Sequence, residues 1–201
     1  MSTIHSICYE DFAHWDRQFP KAQCNVVRKK ADINLIKEGD IVILHGGTDI
    51  NPAIYGAQKD PRTQPSDRAR DELELSAVAQ AMEVGAYLFG ICRGAQLLCA
   101  LNGGTLKQHI VGHGGNHLLA TQKGESVISN SCHHQMMQPE GNYQLLAWID
   151  EVIDKTNEVE PEIVYWPDTL SYGVQGHPEW LHFEHPLVQH VINEARELWG
   201  I

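Results

Sequence analysis

The feature that most constrains the fold of this chain is an abrupt change of pattern at one cysteine. Residues 86–101 read AYLFGICRGAQLLCAL, with the change at Cys92. The stretch before Cys92 is continuously apolar, as in a strand that is buried on both faces. After Cys92 the apolar residues recur at three- and four-residue spacing, which indicates a helix. The sequence therefore predicts a strand that turns directly into a helix.

Two glycines make a chemical role for this cysteine more attractive than a packing role. Gly90 and Gly94 flank Cys92 at two positions on either side. A sharp strand-to-helix turn leaves little room for neighbouring side chains and strains the backbone of its central residue. The thiol would lie at a helix N-terminus, where the dipole and the free N–H groups favour the thiolate. Cys92 is thus a candidate nucleophile, whereas Cys99 on the apolar face fits a buried structural cysteine.

The rest of the chain predicts the strands and helices of an α/β domain. Residues 40–45 form an apolar, β-branched run that ends at Gly46-Gly47, and residues 69–84 show a helical apolar stripe. After residue 102 we expect hairpins and edge strands, and the chain closes with a helix over 186–199. Weaker or shorter strands are predicted at 4–9, 24–28, 126–128, 144–149, 161–166 and 172–176.

Strands without polar alternation, separated by helices, predict a central, mostly parallel sheet. Helices should cover both faces, with short peripheral strands beside the main sheet. In such sheets ligands bind at the C-terminal ends of the strands. The Gly46-Gly47 turn and Cys92 should therefore face one crevice. At 201 residues the chain suits a single domain, which we expect to span residues 1–201.

Charge and composition exclude several classes of partner. The formal net charge of −11 gives a surface that repels nucleic acid phosphates and anionic membranes, so we expect neither as a partner. No apolar run approaches the ~20 residues that cross a bilayer, and the N-terminus lacks signal-peptide blocks. The five cysteines are irregularly spaced, which argues against a disulfide framework. We expect a cytoplasmic protein with reduced thiols.

A cysteine nucleophile needs a base, and the base needs a third group that fixes its tautomer. Among twelve histidines, His177 follows a strand-like run directly and precedes a proline that stiffens the turn. Glu179 lies two residues further on, and residues i and i+2 of an extended segment point to the same side. Glu179 can therefore reach one ring nitrogen while the other faces the sulfur. The alternative interpretation is a solvated histidine and glutamate on the surface.

Together these stretches resemble a known superfamily. GICRGAQLL and GVQGHPEW are similar to the class I glutamine amidotransferases, whose triad is Cys, His and Glu in that chain order. Further segments resemble the γ-glutamyl-γ-aminobutyrate hydrolase-like branch: HGGTDINPAIYG (45–56), DRARDELEL (67–75), NGGTLKQHI (102–110) and NSCHHQ (130–135). The resemblance covers about residues 40–184 and implies the flavodoxin-like α/β fold of that superfamily.

The resemblance implies a role for each candidate residue. Cys92 is the implied nucleophile, His177 the general base and acid, and Glu179 the group that orients it. The oxyanion hole is implied at backbone N–H groups, which glycine lets approach closely. Those groups belong to Arg93 and to Gly47 or its neighbour Gly46. Three further residues are implied to hold the γ-glutamyl group: Gln96, His134 and Gln135.

The implied enzyme is a γ-glutamyl amide hydrolase that works through a γ-glutamyl thioester on Cys92 and releases glutamate and an amine, with no cofactor. An alternative is a glutaminase subunit that supplies ammonia to a separate synthetase. Two roles stay open for Arg93, which could select a negatively charged leaving group or brace the loop. The sequence does not determine the leaving amine, the oligomeric state or the pathway.

A third hypothesis, from a different class, is a metal-binding or regulatory module. It rests on a group of histidines and one cysteine: His109, His113, His117, Cys132, His133 and His134. A His-x3-His pair needs a helix to converge on one ion. The glycines at 112, 114 and 115 make a helix there improbable, and we expect no metal.

Overall fold

The structure, a computed structural model, describes residues 2–149 and 159–201. Its strands, in chain order, are β1 Thr3–Ile7, β2 Gln23–Val27, β3 Ile41–Leu44, β4 Tyr87–Ile91, β5 Thr105–Lys107, β6 Gly115–Thr121, β7 Ser126–Ser131, β8 Met136–Gln138, β9 Gln144–Ile149, β10 Pro161–Trp166 and β11 Ser171–Val174. The helices are α1 Trp15–Gln18, α2 Lys30–Ile33, α3 Arg68–Val84, α4 Arg93–Leu101 and α5 Pro186–Trp199. Single 3-10 turns lie at Pro52–Tyr55, Pro167–Thr169 and Pro178–Trp180.

The main sheet has the order β2-β1-β3-β4-β11-β10-β9-β6-β7 within the described residues. Strands β2, β1, β3, β4 and β11 run parallel to one another. From β11 onward each strand is antiparallel to its neighbour. A separate antiparallel pair, β5 and β8, lies beside the sheet. The predicted α/β fold, with a large and mostly parallel sheet and short peripheral strands, is confirmed.

Helices cover both faces of the sheet, as predicted. On one face α5 and the buried Trp15 of α1 pack against the strands in one apolar cluster. On the other face α2, α3 and α4 pack in a second cluster. Adjacent residues of β4 pack on opposite faces of the sheet: Phe89 belongs to the first cluster and Leu88 to the second. A strand that is covered on both sides gains nothing from polar alternation, which explains its continuous apolar sequence.

Most differences between prediction and structure lie in short or glycine-rich segments. The strands predicted near both ends of the chain are present, and the closing helix spans Pro186–Trp199. The four-residue helices α1 and α2 were not predicted, because one turn is too short to show a helical period. Strand β6 was not predicted either, since its sequence GNHLLAT begins with residues of low strand propensity. It forms by pairing with β7 and β9.

No helix in the two described ranges is both long enough and apolar enough to cross a membrane.

Candidate active site

Cys92 lies at the turn between β4 and α4, in the backbone conformation that the sequence predicts. Its φ is 49° and its ψ is −106°, a positive-φ geometry that is strained for any residue with a side chain. A Cβ on Gly90 would lie 2.7 Å from backbone atoms of Gly94 and Ala95. A Cβ on Gly94 would overlap the carbonyl oxygen of Leu44 in β3. Both glycines are therefore needed for this turn to pack against the sheet.

The sulfur of Cys92 experiences two opposing influences. Burial of the side chain, which is only 7% exposed, raises the thiol pKa, and the nearby Cys132 raises it further. The backbone N–H of Arg93, at the start of α4, donates a hydrogen bond to the sulfur and lowers the pKa. The helix terminus thus favours the thiolate as expected, but burial outweighs it. The raised pKa predicts a neutral Cys92 thiol in the free protein at neutral pH.

The imidazole of His177 is held by contacts on several sides. Its Nδ1 lies 2.7 Å from Oε1 of Glu179. An ionised carboxylate only accepts, so this contact favours the tautomer with the proton on Nδ1 and with Nε2 as the acceptor. The backbone is fixed by Asn130, whose side chain accepts from the His177 N–H at 3.0 Å and donates to its carbonyl at 2.8 Å. The ring of Trp180 stacks on the imidazole with centroids 3.7 Å apart. These contacts orient a basic nitrogen toward the cavity.

Two cysteines approach this imidazole. A Cβ on Gly46 would lie 2.6 Å from Cε1 of His177 and 3.6 Å from Cβ of Cys92, so both side chains flank that glycine. The hydrogen bond of Nε2 in this structure goes to Cys132, whose Sγ lies 3.3 Å away. The resemblance singled out the segment that contains Cys132, but this contact was not predicted. It joins the loop after β7 to the loop after β11.

A cavity of about 410 Å³ opens at the C-terminal ends of β3, β4 and β11. Eight of the nine predicted site residues line it: Gly46, Gly47, Cys92, Gln96, His134, Gln135, His177 and Glu179. The ninth, Arg93, reaches the site through its backbone N–H and turns its side chain into the protein. The volume falls within the range of small-molecule sites, ~300–1,000 Å³.

The three residues predicted to hold the glutamyl group form one wall of the cavity. The side chain of Gln96 donates to the carbonyl oxygen of Gln135 at 3.2 Å. The Nε2 of His134 lies 3.0 Å from Oδ1 of Asp49, a cavity residue that the sequence reasoning did not single out. The other oxygen of Asp49 accepts from the backbone N–H of Gln64 at 2.7 Å. The long loop before α3 thus helps to build the wall, as loops of that length often do.

The guanidinium of Arg93 is fully buried and forms ion pairs with Asp71 and Glu74 of α3. Glu74 also pairs with Arg70 at 2.8 Å. The sequence prediction missed the three α3 partners of this network. A signal was present, since Arg70 and Glu74 lie four residues apart on the same helical face as Ala77 and Ala81, which belong to the buried stripe. Charged residues on a buried face are rarely there without partners.

Three of the five histidines behind the metal hypothesis, His113, His133 and His134, lie within 3.1 Å of a carboxylate oxygen. His113 lies 3.0 Å from Glu160, and His133 lies 3.1 Å from Glu162. Burial lowers the pKa of His133, but Glu162, the carbonyl of Gln135 and the charge of Glu160 together raise it, so the net shift is upward. Within residues 2–149 and 159–201, no group of three His, Cys, Asp or Glu side chains is arranged to hold a metal ion.

Comparison with known proteins identifies the family. Residues 26–153 match the Peptidase C26 family. The chain belongs to that family. It is 32% identical over 158 residues to a Mycobacterium tuberculosis protein provisionally named a glutamine amidotransferase, covering 69% of this chain and 50% of that relative. The chain therefore spans about half the length of that relative.

Two further comparisons agree with this family. The chain is 29% identical over 135 residues to the carbamoyl phosphate synthase small chain of Pectobacterium atrosepticum, covering 64% of this chain and 34% of that protein. The crystal structure of a glutamine amidotransferase from Thermotoga maritima matches with a TM-score of 0.61 at 12% identity, covering 99% of this chain and 94% of that one. The fold is that of the class I glutamine amidotransferases.

Proposed function

We propose that this member of the Peptidase C26 family hydrolyses γ-glutamyl amide bonds with Cys92 as the nucleophile. The observation that carries the proposal is the meeting of two elements in one cavity. One is a strained cysteine at the start of a helix, and the other is a histidine whose Nδ1 is engaged by Glu179. A nucleophile, a base and a group that orients the base are the parts that covalent acyl transfer requires.

The raised pKa of Cys92 determines how the reaction begins. Because the free thiol is neutral, attack on the γ-carbonyl carbon requires transfer of its proton to Nε2 of His177. The negative charge that develops on the carbonyl oxygen is stabilised by the N–H of Arg93 and by that of Gly47 or Gly46. The same imidazole then protonates the leaving amine, and water hydrolyses the thioester to release glutamate. His177 must give up its contact with Cys132 for this sequence to run.

The wall formed by Gln96, His134 and Gln135 is proposed to hold the α-amino and carboxylate ends of the glutamyl group. Polar side chains and a backbone carbonyl meet there, beside the nucleophile. The imidazole of His134 and the carboxyl group of Asp49, 3.0 Å apart, offer hydrogen-bonding groups within a short distance. A zwitterionic glutamyl end fits such a wall, since it presents both signs of charge. No cofactor takes part in this proposal.

A glutaminase subunit remains the second candidate function. The observation that favours it is the similarity to the carbamoyl phosphate synthase small chain, which is by name one chain of a larger synthase. In that case the leaving amine is ammonia, and a synthetase partner would consume it. The two candidates share Cys92 chemistry and differ in the need for a partner.

The deciding experiment is a substrate panel with the isolated chain. Glutamine, γ-glutamyl-aminobutyrate, γ-glutamyl peptides and polyglutamates are assayed for release of glutamate. We expect turnover of at least one substrate by the isolated chain, and a loss of about 1,000-fold or more in Cys92→Ala. Cys132→Ala is the matched control and should retain activity within about 3-fold.

Two results would contradict the proposal. Full activity of Cys92→Ala would remove Cys92 as the nucleophile. Turnover of glutamine only after a synthetase is added, with no γ-glutamyl amine cleaved by the isolated chain, would favour the subunit instead.

A further inference from the structure

The two proposed oxyanion donors come from different parts of the chain. One is the N–H of Arg93, the first residue of α4, and the other belongs to the loop that follows β3. A pair of donors stabilises an oxyanion only when both lie about 2.7–3.1 Å from it, so their spacing must be fixed. This spacing must be fixed by side chains that contact both parts of the chain.

Arg70 of α3 packs directly against the start of that loop. Its Nη2 donates to the carbonyl oxygen of His45 at 2.7 Å, and its Nη1 donates to the hydroxyl of Tyr9 at 3.1 Å. A Cβ added to Gly47 would overlap Nη1 of the same guanidinium. The loop backbone therefore rests on a planar, hydrogen-bonded group that leaves it little freedom to move.

The same turn of α3 also holds Asn51, further along this loop, and the start of α4. Asp71 accepts from the backbone N–H of Asn51 at 3.3 Å and forms an ion pair with Arg93. Glu74 bridges the two arginines, because one carboxylate oxygen pairs with Arg70 and the other with Arg93. One turn of a helix thus connects the loop at His45 and at Asn51 to Arg93, the residue that follows the nucleophile.

The network is buried and electrically balanced. Two guanidinium groups face two carboxylates, and no side chain of the four is more than 8% exposed. A balanced network attracts neither an anionic nor a cationic leaving group, which favours the bracing role for Arg93 over the selecting role. Its burial makes it rigid, since every displacement breaks charge-assisted hydrogen bonds.

We propose that Arg70 is a positioning residue that sets the spacing of the oxyanion donors by holding the His45–Gly47 backbone against the Arg93 side of the network. This inference rests on the proposed function. It assigns the DRARDELEL segment a task that neither the nucleophile nor the base performs. Loss of Arg70 should weaken stabilisation of the tetrahedral intermediate and leave binding of the ground state nearly intact.

The test compares two ligands of the same site. The γ-aldehyde of glutamate forms a tetrahedral adduct with a thiolate and needs the oxyanion donors, whereas glutamate itself forms no adduct. In Arg70→Met we expect the inhibition constant of the aldehyde to rise about 100-fold, with the dissociation constant of glutamate unchanged within about 3-fold. Arg70→Lys keeps the positive charge but loses the planar, two-pronged guanidinium. The inhibition constant of the aldehyde should therefore rise by an intermediate ~10-fold.

A matched control lies on the same helix. Arg68 pairs with Glu72 four residues on, as Arg70 pairs with Glu74, but its side chain is 90% exposed. Arg68→Met should leave both constants unchanged. A similar rise in the aldehyde inhibition constant and the glutamate dissociation constant of Arg70→Met would indicate a structural role only. An unchanged inhibition constant of the aldehyde would overturn the proposal outright.

If Arg70→Met does not fold, Arg70→Lys decides between the same outcomes, because it retains the buried charge. Failure of the proposed function itself has a different signature. In that case the wild-type protein neither binds the aldehyde nor hydrolyses any γ-glutamyl amide, and the variants are not needed.

Discussion

The two cysteines that line the cavity differ in burial, in backbone conformation and in their contact with the base. Cys132 lies in the loop after β7, is exposed, and has its sulfur 3.3 Å from Nε2 of His177. Cys92 is buried at a strained turn between a strand and a helix. Judged by contact with the imidazole alone, Cys132 would be the nucleophile. The choice of the nucleophile therefore depends on the groups around each sulfur and not only on which sulfur contacts the imidazole.

What distinguishes Cys92 is the group that stabilises its charged form. Burial is the largest cause of the raised pKa of both thiols. Only Cys92 has, among the causes of its shift, a backbone N–H donor at a helix start, which lowers the pKa and can also stabilise an oxyanion. The chemistry of acyl transfer needs such a donor next to the attacking atom. We therefore propose Cys92 as the attacking residue and Cys132 as a neighbour that must release His177.

The largest difference between Cys92 and Cys132 is expected with a reagent that reacts only after it has bound in the cavity. The glutamine analogue 6-diazo-5-oxo-norleucine alkylates a nucleophile only after it binds as a glutamyl group. Tryptic peptides 71–93 and 124–155 contain Cys92 and Cys132 respectively, so mass spectrometry separates the two outcomes. We expect all of the label on 71–93, none on either peptide in Cys92→Ser, and labelling within about 2-fold of wild type in Cys132→Ser. Label on 124–155 would reverse the assignment.

A smaller effect is expected when the base loses its orientation. In Glu179→Gln the amide can donate to Nδ1 and convert Nε2 into a donor, which removes the acceptor that the proposed reaction needs for the thiol proton. We expect kcat/KM to fall about 100-fold, the order of magnitude of a general base contribution. Glu184→Gln, an exposed carboxylate in the same segment, is the control and should change nothing. Activity of Glu179→Gln within about 3-fold of wild type would show that the carboxylate is dispensable.

The sequence allows the parallel half of the sheet and the turn at Cys92 to be predicted, because both are determined by local pattern. The continuous apolar run of β4, the flanking glycines and the helical spacing after Cys92 lie within sixteen residues of one another. The same holds for the closing helix α5, whose apolar stripe and N-terminal proline are local signals. His177 and Glu179 are also neighbours in the chain, and their side chains do pair. The extended backbone expected between them was wrong, because Pro178–Trp180 forms a 3-10 turn.

The contacts that the sequence did not reveal depend on the order of strands. Cys132 and His177 are separated by 45 positions and meet because the loops after β7 and β11 converge at one cavity. The network of Arg93 with α3 joins residues about twenty positions apart across two elements. A pattern of residues can show that a charge is on a buried face, but only the packing shows which partner it meets.

The smallest expected effect is a difference in the alkylation rates of Cys132 and Cys92, which separates the exposure of a cysteine from its role in the site. Iodoacetamide is small and neutral and needs no glutamyl site, so its rate follows thiolate fraction and access. Because the pKa of each thiol is raised, both alkylation rates should rise about tenfold per pH unit between pH 6 and 8. The exposed Cys132 should react about tenfold faster than the buried Cys92, the opposite order from the glutamine analogue. A rate for Cys92 that is flat with pH would instead indicate a thiolate–imidazolium pair already formed in the free protein. Cys92 would then attack without first transferring its proton to His177.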